Sequence, residues 1–223
     1  MMERKPEPEL MDSEEQTQAY AEADFSDANE CFTQAFFSKF AHWSDSGHLV
    51  DLGCGPADIC IRLSRRLPNW QLTGIDAGKN MLKRAREAIA DSECADRIDL
   101  QLSHLPDPGL GERCYQAITS NSLLHHLPDP MVLWHSILQL ADTGAAVMIM
   151  DLSRPDSTQD ARRLVDHYAH DAPTVLRNDF YHSLLAAYEP TEVKQQLHAC
   201  GLAHFELFRP SDRHWIVFGR TGS

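Results

Sequence analysis

The sequence predicts an α/β fold: a doubly wound, mostly parallel seven-stranded sheet that ends in an antiparallel hairpin. Three observations predict it. From residue 48 to residue 151, apolar runs that read as strands alternate with amphipathic segments that read as helices, the pattern of a parallel sheet covered on both faces. One run, Ala145-Ala146-Val147-Met148-Ile149-Met150-Asp151, is apolar at odd and even positions alike, as a strand buried on both sides must be. Two β-like runs near the end, 203–208 and 214–218, are separated only by Arg209-Pro210-Ser211-Asp212-Arg213. So short a link forces antiparallel pairing, because a parallel crossover needs a dozen or more residues.

Taken in order, residues 1–16, with Lys5-Pro6-Glu7-Pro8-Glu9, have little to bury and are expected to form a disordered, solvated tail. In 17–44, Tyr20, Phe25, Phe32, Phe36, Phe37 and Phe40 are spaced to share a helical face. The remaining 45–223 reads as one domain. Strand 48–52 leads to a helix over 57–67, and strand 70–76 to a helix carrying Met81, Leu82, Ala85 and Ile89. Strand 97–102 enters a proline-punctuated loop, and strand 115–121 precedes a helix over 130–141. After strand 145–151 the alternation stops, and 152–190 reads as a helical insertion. Thr191 is placed to cap a helix that ends at Cys200 and closes on Gly201.

Composition narrows the function classes. The chain has 223 residues, 43% of them apolar, enough for one sizeable core. A formal charge of −13 disfavours nucleic acid or an anionic membrane as the main partner. No apolar run approaches the ~20 residues that span a bilayer. The polar start lacks the apolar core of a signal peptide. Six scattered cysteines without a Cys-x-x-Cys pair read as reduced thiols, and a cytoplasmic location is expected.

The chemistry centres on Leu49-Val50-Asp51-Leu52-Gly53-Cys54-Gly55-Pro56-Ala57-Asp58. Here a strand ends in an acidic residue, two glycines allow a sharp turn, and a helix begins at once, aiming free N–H groups at the turn. A dinucleotide fingerprint needs a third glycine where Asp58 stands, and a carboxylate there would repel a pyrophosphate. Asp76, about 20 residues further on at the end of the next strand, is placed to accept hydrogen bonds from ribose hydroxyls.

This pattern resembles the first motif of Rossmann-like S-adenosylmethionine (SAM) methyltransferases, an acidic residue followed by Gly-x-Gly-x-Gly, with Ala57 replacing the third glycine. Ser120-Asn121-Ser122-Leu123-Leu124-His125-His126-Leu127 resembles the fourth motif of small-molecule members. The resemblance implies SAM as cofactor and S-adenosylhomocysteine as product. It implies cofactor contacts at Asp51, Gly53, Cys54, Gly55, Asp76, Ala77, Met81, Ser103, His104, Asn121 and Tyr20. The helical 17–44 segment is then either core packing or a lid bringing Tyr20 and Phe25 near the methyl group. Methyl transfer needs alignment and exclusion of water more than acid–base chemistry, in keeping with the lack of a nucleophile–base triad in the pattern. Asn121, His125 and His126 are the catalytic candidates. One histidine is expected to be structural and the other to orient or deprotonate the acceptor. Joint metal chelation by these two is not expected, since adjacent side chains on a short element point apart. His167 and His170 read as a solvated helix face, so no metal is expected. The rival functions are a nucleotide-dependent oxidoreductase and a SAM-binding protein without transferase activity.

Met150-Asp151-Leu152-Ser153-Arg154-Pro155-Asp156-Ser157 and the run from Leu176 to Tyr188, together with Ser120 to His126 and Ser211-Asp212-Arg213-His214, resemble the methyltransferase module of ovothiol synthases. That resemblance implies a small-molecule acceptor, 5-thiohistidine, methylated on an imidazole nitrogen. Such an acceptor needs partners for its carboxylate, ammonium and ring. Arg154, Arg177 and Arg213 are candidates for the first, Asp179 for the second, and Phe180 and Tyr181 for the third, with Phe25 nearby.

Overall fold

A computed structural model describes residues 2–7, 12–40, 44–110 and 115–222. The sheet is built from β1 (Gly47–Leu52), β2 (Trp70–Asp76), β3 (Ile98–Leu102), β4 (Tyr115–Asn121), β5 (Ala141–Leu152), β6 (Glu206–Phe208) and β7 (His214–Arg220). Their order is β3-β2-β1-β4-β5-β7-β6. The first five are parallel, while β7 pairs antiparallel with both β5 and β6. This is the predicted seven-stranded sheet, with β6 shorter than the 203–208 run suggests.

Eight α-helices cover the described parts of the sheet: α1 (Glu14–Glu22), α2 (Ser26–Lys39), α3 (Asp58–Arg66), α4 (Lys79–Ala90), α5 (Met131–Leu140), α6 (Thr158–Tyr168), α7 (Thr174–Ala186) and α8 (Pro190–Ala199). Period-two alternation sends neighbouring strand residues to opposite cores. Leu49, Met148 and Ile216 join Phe32, Phe36, Leu63 and Leu82 on one face. Val50, Ile149 and Val217 join Trp134, Val193 and Trp215 on the other. A third cluster seats the insertion, with Leu152, Ala161, Val165, Leu184 and Leu185 packed together.

Three local expectations change. The aromatic segment 17–44 is two helices, and its residues 41–43 lie outside the described residues. The cap of α8 is Glu189 rather than Thr191: Glu189 and Glu192 form a reciprocal capping box with Pro190 in the first turn. The helix α6 ends at Tyr168, so His167 and His170 do not share a helix face.

The N-terminal segment differs most from a solvated tail. Arg4 donates from Nε to Ala186 O (2.6 Å) and from Nη2 to His125 O (3.0 Å), and its guanidinium lies 4.1 Å from the Tyr188 ring centre. The amide of Lys5 donates to Leu185 O. Ser13 caps α1, and the Asp12 carboxylate accepts from the Asn80 and Lys79 amides at the start of α4 (2.9 and 3.2 Å). Charged residues thus anchor the segment by filling open backbone positions, without an apolar pattern.

Candidate active site

The C-terminal ends of β1, β2, β4 and β5 open into a cavity of about 1000 Å³, where ligands bind in open parallel sheets. One side of it is the glycine turn. The Gly53 and Cys54 amides both donate to Ile75 O, which clips the turn to β2. Gly53 has φ +72°, and a Cβ there would stand 2.9 Å from Leu123 Cβ. Its role is packing. Gly55 has φ +51°, and a Cβ there would meet no protein atom within 4 Å. That open space is the cradle. Ala57 holds the left-handed conformation (φ 68°) that the missing third glycine would adopt, at a cost of about 1–2 kcal/mol.

Across the cradle, Asp76 accepts from the Gly55 amide (2.8 Å) and the Gly78 amide (2.7 Å). Burial raises its carboxyl above the usual range, against the pull of those two amides. Each oxygen keeps a further lone pair for a hydroxyl donor. The carboxylate and the open Gly55 backbone therefore fit an adenosyl ribose, and Ala77, Met81, Ser103, His104, Tyr20 and Phe25 line the same cavity. Tyr20 and Phe25 stack with ring centres 4.7 Å apart. Asn121 lines the cavity and donates to Asn29 Oδ1 (3.2 Å), while Asn29 donates to Asp58 Oδ2 (2.8 Å). The carboxylate that argued against a pyrophosphate thus ties α2 to the glycine turn.

Two residues expected to touch the cofactor do not line the cavity. Asp51 is buried beneath it and accepts from Thr119 Oγ1 (2.8 Å) and Cys60 Sγ (3.5 Å); burial pushes its carboxyl up to about 6. The Cys54 side chain is buried, and burial raises its thiol.

On the acceptor side, His125 and His126 lie in a 3-10 turn after β4, with ring centres 4.0 Å apart and planes 40° apart. The adjacent rings therefore lie against each other rather than apart, contrary to expectation. His125 Nδ1 stands 2.5 Å from Asp151 Oδ1 in a buried pair. Burial would lower the imidazole, but the Asp151 charge and hydrogen bond hold it above its ordinary value. Glu7 comes from the N-terminal segment: its carboxylate lies 2.5 Å from His126 Nδ1 and accepts from Ser183 Oγ (2.7 Å). Burial alone would raise Glu7, yet the His126 and His125 rings hold it down to about 2.

Of the predicted acceptor residues, Phe25, Asp179, Phe180 and Arg213 line the cavity. Register places Arg213: Leu152 pairs with His214, and the Ser153 amide donates to Arg213 O. The Arg213 guanidinium sits 3.3 Å from the Tyr168 ring centre. Arg154, Arg177 and Tyr181 are not among the lining residues. Arg154 is buried, donating to Ala187 O (3.1 Å), Glu189 (3.2 Å) and Glu192 (2.9 Å). Arg177 points outward to Asp166 and His170 O.

Glu7, Asn29 and Tyr168 have no motif that marks them. Asp151 does, since it ends an apolar strand as Asp51 and Asp76 do. His214, buried beside Arg213, has its imidazole lowered to about 4, chiefly by burial. The unfolded chain then takes up the proton first, so this residue removes stability as pH falls from about 6.5 to 4. The drop corresponds to roughly 3 kcal/mol. Chemical unfolding at a series of pH values should show that loss in the wild type, and His214→Gln should lack that part of it.

The fold and site define a cavity at the ends of parallel strands, with an open glycine turn on one side and the Asp76 carboxylate across it. Residues 49–144 match a profile described as a methyltransferase domain. A demethylmenaquinone methyltransferase of Lactiplantibacillus plantarum is 27% identical over 116 residues, 52% of this chain and 49% of the relative. A ubiquinone/menaquinone biosynthesis C-methyltransferase of Geotalea daltonii is 23% identical over 54% and 52% of the two chains. The chain spans about half the length of these relatives. Among solved structures, a SAM-dependent methyltransferase from Methanococcus maripaludis described as putative shares the fold at TM-score 0.71, with 16% identity over 98% of both chains. The plantazolicin methyltransferase BpumL, solved with S-adenosylhomocysteine, shares it at TM-score 0.66, with 14% identity over 93% of this chain and 85% of that one. Residues 49–144 thus resemble a methyltransferase domain, and the neighbour solved with S-adenosylhomocysteine shares the fold of nearly the whole chain.

Proposed function

We propose that the protein transfers the methyl group of SAM to a small polar acceptor of amino-acid type, and that this acceptor is 5-thiohistidine, methylated on an imidazole nitrogen. The observation that carries the reading is that one cavity is lined by the Gly55–Asp76 cradle and by Arg213, Asp179 and Phe180. SAM, when bound, supplies a methyl group on a sulfonium that is already a good leaving group. The protein's task is then alignment and exclusion of water. Asp76 and the Gly55 backbone hold the ribose. Tyr20 and Phe25, on α1 and just before α2, form an aromatic cover, latched by Asn29 to Asn121 and Asp58. Arg213 takes the acceptor carboxylate, Asp179 the ammonium, and Phe180 stacks on the ring. Asn121 and the His125–His126 wall face the reacting nitrogen and fix its tautomer. An imidazole nitrogen with a free lone pair is nucleophilic without a strong base, so orientation suffices.

A second reading takes the acceptor from the names of the relatives, demethylmenaquinone. Glu7, Asp171, Asp179 and Arg213 on the acceptor wall favour a charged small molecule over a quinone. Mass spectrometry of the protein with SAM and either 5-thiohistidine, histidine or demethylmenaquinone separates the two. Methylated 5-thiohistidine is expected, with histidine the poorer acceptor. Arg213→Gln should raise KM for that acceptor about 10- to 100-fold, as loss of a charged hydrogen bond does, and leave SAM affinity unchanged. Product from the quinone alone, with SAM binding intact, would overturn the reading.

A further inference from the structure

We propose that Glu7, His125 and His126 form a binding site for a divalent transition-metal ion of the zinc type, with its remaining position open to the acceptor half of the cavity. One ligand atom from each residue lies within 4.8 Å of the other two. Ligands on a tetrahedral ion with bonds of ~2.1 Å stand about 3.4 Å apart, a difference that small side-chain rotations close. Two imidazoles and one carboxylate make the donor set of many three-ligand zinc centres, which keep the fourth position for water or substrate.

Two further observations point to a ligand here. His125 Nδ1 is held at 2.5 Å by the buried Asp151 carboxylate, leaving Nε2 as the free ring nitrogen. A carboxylate behind a ligating histidine is the usual outer-sphere arrangement, because it fixes the ring and its tautomer. His126 Nδ1 is buried without a hydrogen-bond partner, although Glu7 Oε2 stands 2.5 Å away. A cation between those atoms would move them apart to about 3.4 Å and satisfy both. The three residues are brought together only by folding: the two histidines follow β4, and Glu7 arrives on a segment that Arg4 pins to the backbone of His125 and Ala186.

The site deepens the methyltransferase reading. A metal on this wall would bind the acceptor through a group with a free lone pair, a thiolate, imidazole nitrogen or carboxylate, and lower the pKa of that group. Its test needs neither acceptor nor turnover. Full-length, untagged protein is stripped with a chelator, then titrated with Zn²⁺ alone by calorimetry and with Co²⁺ alone by visible absorption. One equivalent of tight binding is expected, with the intense d–d bands of a low-coordinate cobalt site. Glu7→Gln and His126→Ala should each weaken it by more than about 100-fold, the upper end of the loss from removing an outer-sphere partner, and Asp151→Asn by about 10- to 100-fold. Thermal unfolding and SAM affinity of each variant show that the fold survives. Glu7→Gln, on a peripheral segment, keeps the test valid if a histidine variant fails to fold. Absence of binding in the wild type overturns the proposal, as does binding that both Glu7→Gln and His126→Ala leave intact. Intact SAM binding in either case would leave the methyl-transfer reading standing.

Discussion

Gly55→Val is expected to abolish SAM binding while the sheet still folds. The residue sits at φ +51°, and its Cβ would project into space free of protein atoms within 4 Å. In the proposed reading that space cradles the cofactor, and two further methyl groups would fill it. The left-handed backbone adds about 1–2 kcal/mol of strain for a residue with a Cβ, more for a β-branched one. Asp76→Ala should weaken binding by about 2–4 kcal/mol, through loss of two hydrogen bonds between ribose hydroxyls and a carboxylate. Gly53→Ala should behave differently. Its Cβ would press on Leu123 at 2.9 Å, so it should lower the melting temperature. Calorimetric titration with SAM, alongside thermal melts, distinguishes the two glycines. Wild-type affinity in Gly55→Val would refute the cradle.

Arg154→Ala should destabilise the protein by about 3–5 kcal/mol, the cost of removing one partner from a buried ion pair. The guanidinium is buried, with a side chain only 5% exposed. It ties β5 to the start of α8 through Ala187 O, Glu189 and Glu192. Its loss would leave the Glu189 carboxylate, 14% exposed, without its counter-charge. As a residue that holds the helical insertion to the sheet, it should affect unfolding far more than acceptor KM. Urea denaturation and steady-state kinetics on the same preparation decide the matter. A raised acceptor KM at unchanged stability would return Arg154 to the role the sequence suggested.

The contrast between Arg154 and Arg213 shows where sequence reading stops. Both arginines follow strand-like runs, and both are chemically suited to a carboxylate. Which of them faces the cavity depends on the antiparallel register of β5 with β7, which sets Leu152 opposite His214, and on two glutamates that claim Arg154 from α8. The histidines make the same point. Their adjacency suggests rings pointing apart, but the 3-10 turn brings the centres to 4.0 Å. The polar, proline-spaced start carries no burial pattern at all. It docks through Arg4, Glu7 and Asp12 onto backbone groups and a histidine that no local pattern marks as partners.

The sequence by itself determined the alternation of strands and helices, the closing hairpin, and the turn with Gly55 and Asp76. These rest on short-range physics: period-two and helical burial, the conformations open to glycine, and the length of chain between strands. Only the tertiary structure decided which charged side chains line the cavity, that Asp51 lies beneath it, and that Glu7 joins the two histidines. Long polar side chains can satisfy their charge with several partners at similar free energy, so the choice among them is made by packing between segments distant in the chain.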